Sequence, residues 1–394
     1  MKPKPASGQR PAFWNQPRTR SVLIQGLLAL ALLAFAFWVV SNTITNLSRL
    51  NVNSGFRFLW QPAGFAINQT LIPYSESSSY AAAFVVSLLN TLVLSAAGIV
   101  LATVLGFVIG LARLSGNWLI ARLATVYVET LRNIPLLLQI FFWYFAILRP
   151  LPGPRQSIPF LGGTVLLNNR GLYVPAPIFE PGFAFVAIAA VVGLVAAFVL
   201  DRRAARLQRQ TGRRPNVLWP ALGLVIGLPL AVAVATGFPL RWDLPKLAGF
   251  NLRGGIAVIP EFVAMLLALS LYVAAFIAEI VRAGILSVPR GQIEAARSLG
   301  LPRGRIYRLV VIPQALRVIV PPLTNQYVNL VKASSLAAAI AYPDIMLVFA
   351  GTVLNQTGQA LEVMTITMAV YLFISLAVSL LMNWYNRATA VVER

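Results

Sequence analysis

This chain has no cysteine and no histidine in 394 residues, and only 11 acidic residues against 32 lysines and arginines. Those absences exclude thiol nucleophiles, disulfides, histidine acid–base chemistry and the usual zinc sites. Paired acids are scarce as well, which disfavours a membrane-embedded enzyme. Lysine is nearly missing: Lys2, Lys4, Lys246 and Lys332 are the whole set, and none follows a glycine. A P-loop needs Gly-Lys to hold phosphates, so the chain is not its own ATPase of that kind. Any ATP that drives it is expected to be hydrolysed, with its Mg, on another subunit, and no cofactor is expected here.

What is abundant is apolar. Hydrophobic residues make up 58% and charged residues 11%, and the mean hydropathy of +0.76 points to a polytopic membrane protein. Runs of spanning length fall near 21–41, 87–111, 124–148, 183–200, 217–237, 258–281, 309–333 and 364–384, so the expected fold is all-α with about eight transmembrane helices. The first run looks like a signal peptide only superficially. It is long, ends in aromatics and lacks an A-x-A site before Ser41-Asn42, so it is expected to stay as an anchor.

A net charge of +21 would suit nucleic acid, but the positions of the charges argue otherwise. With the N-terminus inside, 21 of the 32 basic residues fall in cytoplasmic segments and 8 in outer loops. That positive-inside bias places both termini in the cytoplasm. The tail MKPKPASGQR and the loop DRRAARLQRQTGRR then serve topology or touch anionic lipid rather than nucleic acid.

Residues 276–313 carry the most information. Glu294-Ala295-Ala296 and Gly300 sit on a short amphipathic segment between two membrane-length runs. Pro289 suits a first helical turn, and Gly300 with Pro302 beyond suits a left-handed C-terminal cap. A helix of that size is about 16 Å long at ~1.5 Å per residue, too short to span a bilayer. Ile293, Ala296 and Leu299 share a face, and the two alanines leave room for a partner's groove. An ordinary loop helix is the plainer reading.

The spacing EAA, three residues, Gly, nine residues, then Val310-Val311-Ile312-Pro313 resembles the coupling loop of bacterial ABC importer permeases. YVETLRNIPLLLQIFF at 127–142, AEIVRAGI at 278–285, GQIEAARSLG at 291–300 and PQALR at 313–317 resemble the polar amino-acid (histidine/glutamine-type) permease family. The likeness covers 87–148 and 258–385. It implies a type I transmembrane domain over 87–385 with five core helices and a coupling helix at 288–301, in which Gln292, Glu294, Ala295, Ala296, Gly300 and Leu301 contact the ATPase. Two departures stand out: an N-terminal helix with a periplasmic connector at 42–86, and an insertion at 149–257 holding a helical hairpin. That layout is similar to the larger permease of general L-amino-acid importers. The resemblance implies an ABC ATPase dimer, a second homologous but non-identical permease, a periplasmic amino-acid-binding protein and a bacterial inner membrane. Residues 1–20 and 386–394 are the expected cytoplasmic tails.

Charges within apolar helices need partners or water. Glu129 and Arg132, and again Glu279 and Arg282, stand three apart and are expected to pair; the second pair would also brace the coupling helix. Lys332 has no acid within four residues and follows Pro321-Pro322, expected to break the helix. A broken helix suits a midplane site for a substrate carboxylate, with Glu129, Arg132, Gln139, Asn325, Gln326, Asn329, Ser334 and Ser335 adding polar groups along the pathway. Snorkelling of Lys332 to the outer face is the competing reading. Gly98, Ala102, Gly106 and Gly110 form a small-residue stripe that suits packing inside the subunit or a dimer seam equally. Glu261 and Asp344 are expected outside, where a binding protein would meet the chain. A stand-alone secondary transporter or channel would also use intramembrane charge, but gives no reason for the EAA segment.

Overall fold

The structure, a computed structural model, describes residues 17–49, 55–212 and 215–389. Most of the basic tail, the last residues of the C-terminal tail, Arg213-Arg214 of the inserted loop and residues 50–54 of the connector lie outside the described residues.

Eight spans emerge when one bent pair counts as a single crossing. They are α1 (Pro17–Arg49), α2 (Tyr80–Arg113), the pair α3 (Trp118–Asn133) and α4 (Leu136–Phe141), and α5 (Phe183–Thr211). Next come α6 (Leu218–Leu222) running on into α7 (Leu228–Ala235), and then α8 (Pro260–Leu286). The short α9 (Arg290–Ser298) and α10 (Arg303–Ile306) lead into α11 (Ile312–Ala333), and α12 (Leu354–Thr357) precedes α13 (Ala360–Thr389). Every long helix is apolar enough to sit in lipid, and α8 is the most buried of them.

The core is built on α8, with α2 packed along it and α11 and α3 beside it. The small-residue stripe explains how closely α2 approaches. A methyl on Gly106 would fall 2.5 Å from the Ile277 side chain, and one on Gly110 would fall 2.8 Å from the Ala278 carbonyl. The stripe is therefore spent inside the subunit, and the dimer-seam alternative does not hold.

Two breaks differ from expectation. The α3–α4 pair bends by 106° where one straight helix was expected over 124–148. Pro135 forces Ile134 into an extended conformation (ψ 125°), which ends α3 there. By contrast, α11 runs unbroken through Pro321 and Pro322, so no break precedes Lys332. The prolines deprive the carbonyls of Arg317 and Val318 of donors, and both residues lie on the exposed side of α11.

At the end of the bundle away from α9, residues 55–80 fold back on the helices. Phe58 and Ala63 are buried with Tyr80, Phe349 and Val363, and the Gly55 amide donates to Glu362 Oε1 at 2.6 Å. The insertion holds the expected helical hairpin, α5 against α6–α7, but also eight short strands that were not expected. These are β1 (Ile158–Phe160), β2 (Val165–Asn168), β3 (Gly171–Val174), β4 (Ala176–Phe179), β5 (Leu240–Asp243), β6 (Lys246–Ala248), β7 (Asn251–Arg253) and β8 (Ile256–Val258). They form antiparallel sheets β1-β2-β3-β8, β4-β5 and β6-β7. Strands of three or four residues are too short to show a period in sequence. Through β8 the sheets run into the start of α8.

Candidate functional site

Two places deserve chemical description: the short helix at one end of the bundle, and a cavity beside α11.

Helix α9 starts after Pro289 and closes on Leu299, with Gly300 left-handed at φ +72° as the cap spacing predicts. Nothing lies within 4 Å of where a Cβ on Gly300 would be, so only its backbone angle demands glycine. Ala296 is buried in the main core with Val288 and Ile306, while Ile293 and Leu301 pack partly against that core. The expected shared face splits here: Leu299 is 80% exposed, and Ala296 fills this chain's own packing rather than a partner's groove. Gln292, Glu294, Ala295 and Gly300 are exposed on the outer side. Gln314, in the PQALR segment, donates from Nε2 to Gln292 Oε1, tying α9 to α11. The PQALR spacing alone gives Gln314 no role, because its partner lies 22 residues away on another helix.

Just inside α9, Glu279 accepts from Arg282 at 2.6 and 3.1 Å and also pairs with Arg113 at the end of α2. The expected brace thus joins α2 to α8; α9 itself is held through Gln292 and Gln314. Glu129 and Arg132 do not pair as expected. Glu129 lies 3.9 Å from Arg113, while the Arg132 guanidinium stands 5.0 Å over the Phe276 ring.

Phe276 also lines a cavity of about 570 Å³ with Leu136, Tyr272, Gln326, Asn329, Lys332 and Ser335. Asn325, Asn329 and Lys332 share an exposed face of α11. Lys332 has no carboxylate partner among the described residues. Two cations, Lys332 in the wall and Arg132 on a wall aromatic, give the cavity the charge that a carboxylate needs. The break at Pro135 places Leu136 there too, so a bent helix borders the cavity, though not the helix the sequence suggested.

Two residues expected in the pathway serve the fold instead. Gln139 is buried and donates from Nε2 to the Leu131 and Ile134 carbonyls at 2.9 and 3.0 Å, satisfying acceptors freed by the bend. Ser334 is buried and donates to the Val331 carbonyl. Glu261 accepts from the Tyr144 hydroxyl at 2.7 Å. Asp344 is fully buried, accepting from the Leu347 amide and the Tyr371 hydroxyl, so it cannot meet a docking protein. Among the described residues there is no cluster of three metal-ligating side chains.

Residues 217–390 match the family described as binding-protein-dependent transport system inner membrane component. Three relatives match nearly end to end. A protein of Escherichia coli (strain K12) named as an amino-acid ABC transporter permease, YhdX, is 56% identical over 96% of both chains. The general L-amino acid transport system permease AapQ of Rhizobium johnstonii is 53% identical, covering 96% of this chain and 94% of that one. The glutamate/glutamine/aspartate/asparagine transport system permease BztB of Rhodobacter capsulatus is 44% identical, covering 96% and 95%.

Proposed function

The chain belongs to the family of binding-protein-dependent transport system inner membrane components, and we propose that its α9 is the element through which a partner ATPase moves its membrane helices. It is a multi-pass permease subunit of an ATP-binding-cassette importer for L-amino acids; ATP is hydrolysed by separate subunits.

One observation carries the mechanical reading. Helix α9 has an exposed side bearing Glu294 and Ala295 and an inner side locked into the core through Ala296, with Gln292 joined to Gln314. A push on the outer side therefore reaches α8 and α11 together, since interiors are close-packed and transmit displacement. The Arg113–Glu279–Arg282 cluster extends that body to α2.

In this reading α9 faces the cytoplasm of a bacterial inner membrane, as do both termini. A soluble binding protein delivers the amino acid at the opposite end. The polar face of α11 with Asn325, Asn329 and Lys332 is too costly to leave in lipid. It faces a second, homologous permease, and between them runs the path. Lys332 and Arg132 draw the substrate carboxylate, and Asn329, Gln326 and Ser335 offer hydrogen bonds.

The test is reconstitution of the assembled transporter in liposomes. The reading expects ATP hydrolysis stimulated by binding protein and amino acid, and uptake only with ATP. Uptake by this chain alone on an ion gradient would sink it. Lys332→Met should lower uptake about tenfold or more while assembly and basal hydrolysis persist; unchanged uptake would return Lys332 to a snorkelling role.

A further inference from the structure

We propose that the β6–β7 hairpin of the insertion is an electrostatic docking surface for an acidic face of the soluble binding protein. Lys246 and Arg253 stand directly opposite each other in the antiparallel register, and both are exposed. Their ribbon face also carries exposed Ala248 and Asn251, while Leu252 on the other face is buried. Like charges directly opposite destabilise a strand pair unless an anion relieves them. A third cation joins at the turn, where the Arg155 guanidinium lies 4.0 Å over the ring of Phe250, itself 77% exposed.

None of these three cations has a carboxylate partner among the described residues. Of the neighbouring acids, Glu180 pairs with Arg241 at 2.6 Å, and Asp243 accepts from the Gly255 amide at 2.9 Å without an ion-pair partner among the described residues. The hairpin therefore offers three cations, none of them in an ion pair, around an arginine-stacked aromatic, and arginine and aromatics are the residues enriched at protein interfaces. It precedes β8, which leads into the start of α8, so it lies at the end of the bundle opposite α9. On the importer reading, on which this inference rests, that end meets the binding protein.

Lys246→Glu separates docking from folding. It sets opposite charges in register and should firm the ribbon, yet it should weaken docking. The experiment uses the whole reconstituted transporter and the binding protein that stimulates its ATP hydrolysis, titrated at low and high salt. Lys246→Glu and the double variant Lys246→Glu/Arg253→Glu should raise the half-stimulating concentration about tenfold or more at low salt, and flatten its salt dependence. Lys246→Arg should match wild type, and basal hydrolysis should not change. Half-stimulating concentrations within twofold of wild type would overturn the docking surface and leave the importer reading intact. No stimulation of wild type by the binding protein would overturn both. A loss seen in phosphatidylglycerol vesicles but not in phosphatidylcholine vesicles would assign the hairpin to lipid headgroups and overturn the proposal.

Discussion

Asp344 shows how one buried acid reports on its surroundings. Burial pushes its carboxyl from 3.8 up to about 7, although the Leu347 amide and the Tyr371 hydroxyl both donate to it. The unfolded chain releases that proton above about pH 4, while the folded chain keeps it until about pH 7. Folding therefore takes up a proton in that window, and stability should fall as pH rises through it. Asp344→Asn removes the titration while keeping an acceptor for Leu347. Its melting temperature should change less between pH 5 and 8 than that of wild type, and at pH 8 exceed it by at least about 3 °C. Parallel slopes in detergent melts at the two pH values would refute this. A second contrast lies among the charges near α9. Glu279→Gln leaves Arg113, 11% exposed, without its close partner and should cost about 2 kcal/mol. Glu129→Gln, at a site 62% exposed and 3.9 Å away, should be nearly neutral in the same thermal assay.

At the scale of elements, the approach of α2 to α8 predicts a graded glycine series. Gly106→Ala gains helix propensity of about 1 kcal/mol but drives a methyl into Ile277 and the Ala274 carbonyl, for a net loss of about 1–2 kcal/mol. Gly98→Ala meets only the tip of Leu330 at 3.3 Å and should be tolerated. Helix α9 predicts a different split. Ala295→Trp, on the exposed side, should leave the fold intact but abolish ATPase binding in pull-downs at matched expression. Ala296→Trp should lose the fold itself, because Ala296 is packed inside. Equal ATPase binding by wild type and Ala295→Trp would remove α9 from the coupling path. These elements also mark what was legible in sequence. Span number, the short helix and its left-handed Gly300 follow from apolar length and capping rules, which are local. The Ala295/Ala296 distinction, the partners of Glu129 and the cap role of Gln139 depend on which helix lies alongside, and local spacing carries no such information. Pro135 and Pro321-Pro322 look alike as text. Only the first ends its helix, and there Gln139 takes up the freed carbonyls of Leu131 and Ile134.

For the whole molecule, alternating spans put α9, the end of α5 and the end of α13 on one side, with the strands of the insertion on the other. Single cysteines at Gln210 and Ser77 test this cleanly, since the wild type has none. An impermeant periplasmic reagent should label only the second; labelling at 210 would invert the arrangement. The fold-back of residues 55–80 has a consequence for biogenesis. Gly55 and Phe58 leave the ribosome early, whereas Glu362 and Phe349, which receive them, are made some 300 residues later. At about 5–20 residues per second that is a wait of roughly 15–60 s. Until then Phe58 has only its near neighbours Ala63, Tyr80 and Ala83 to pack against. The seal closes only on a chain that has reached α13, so a permease truncated before it should leave Phe58 more exposed than in the full chain. Closure at this end thus joins the first folded stretch after α1 to the last span of the chain.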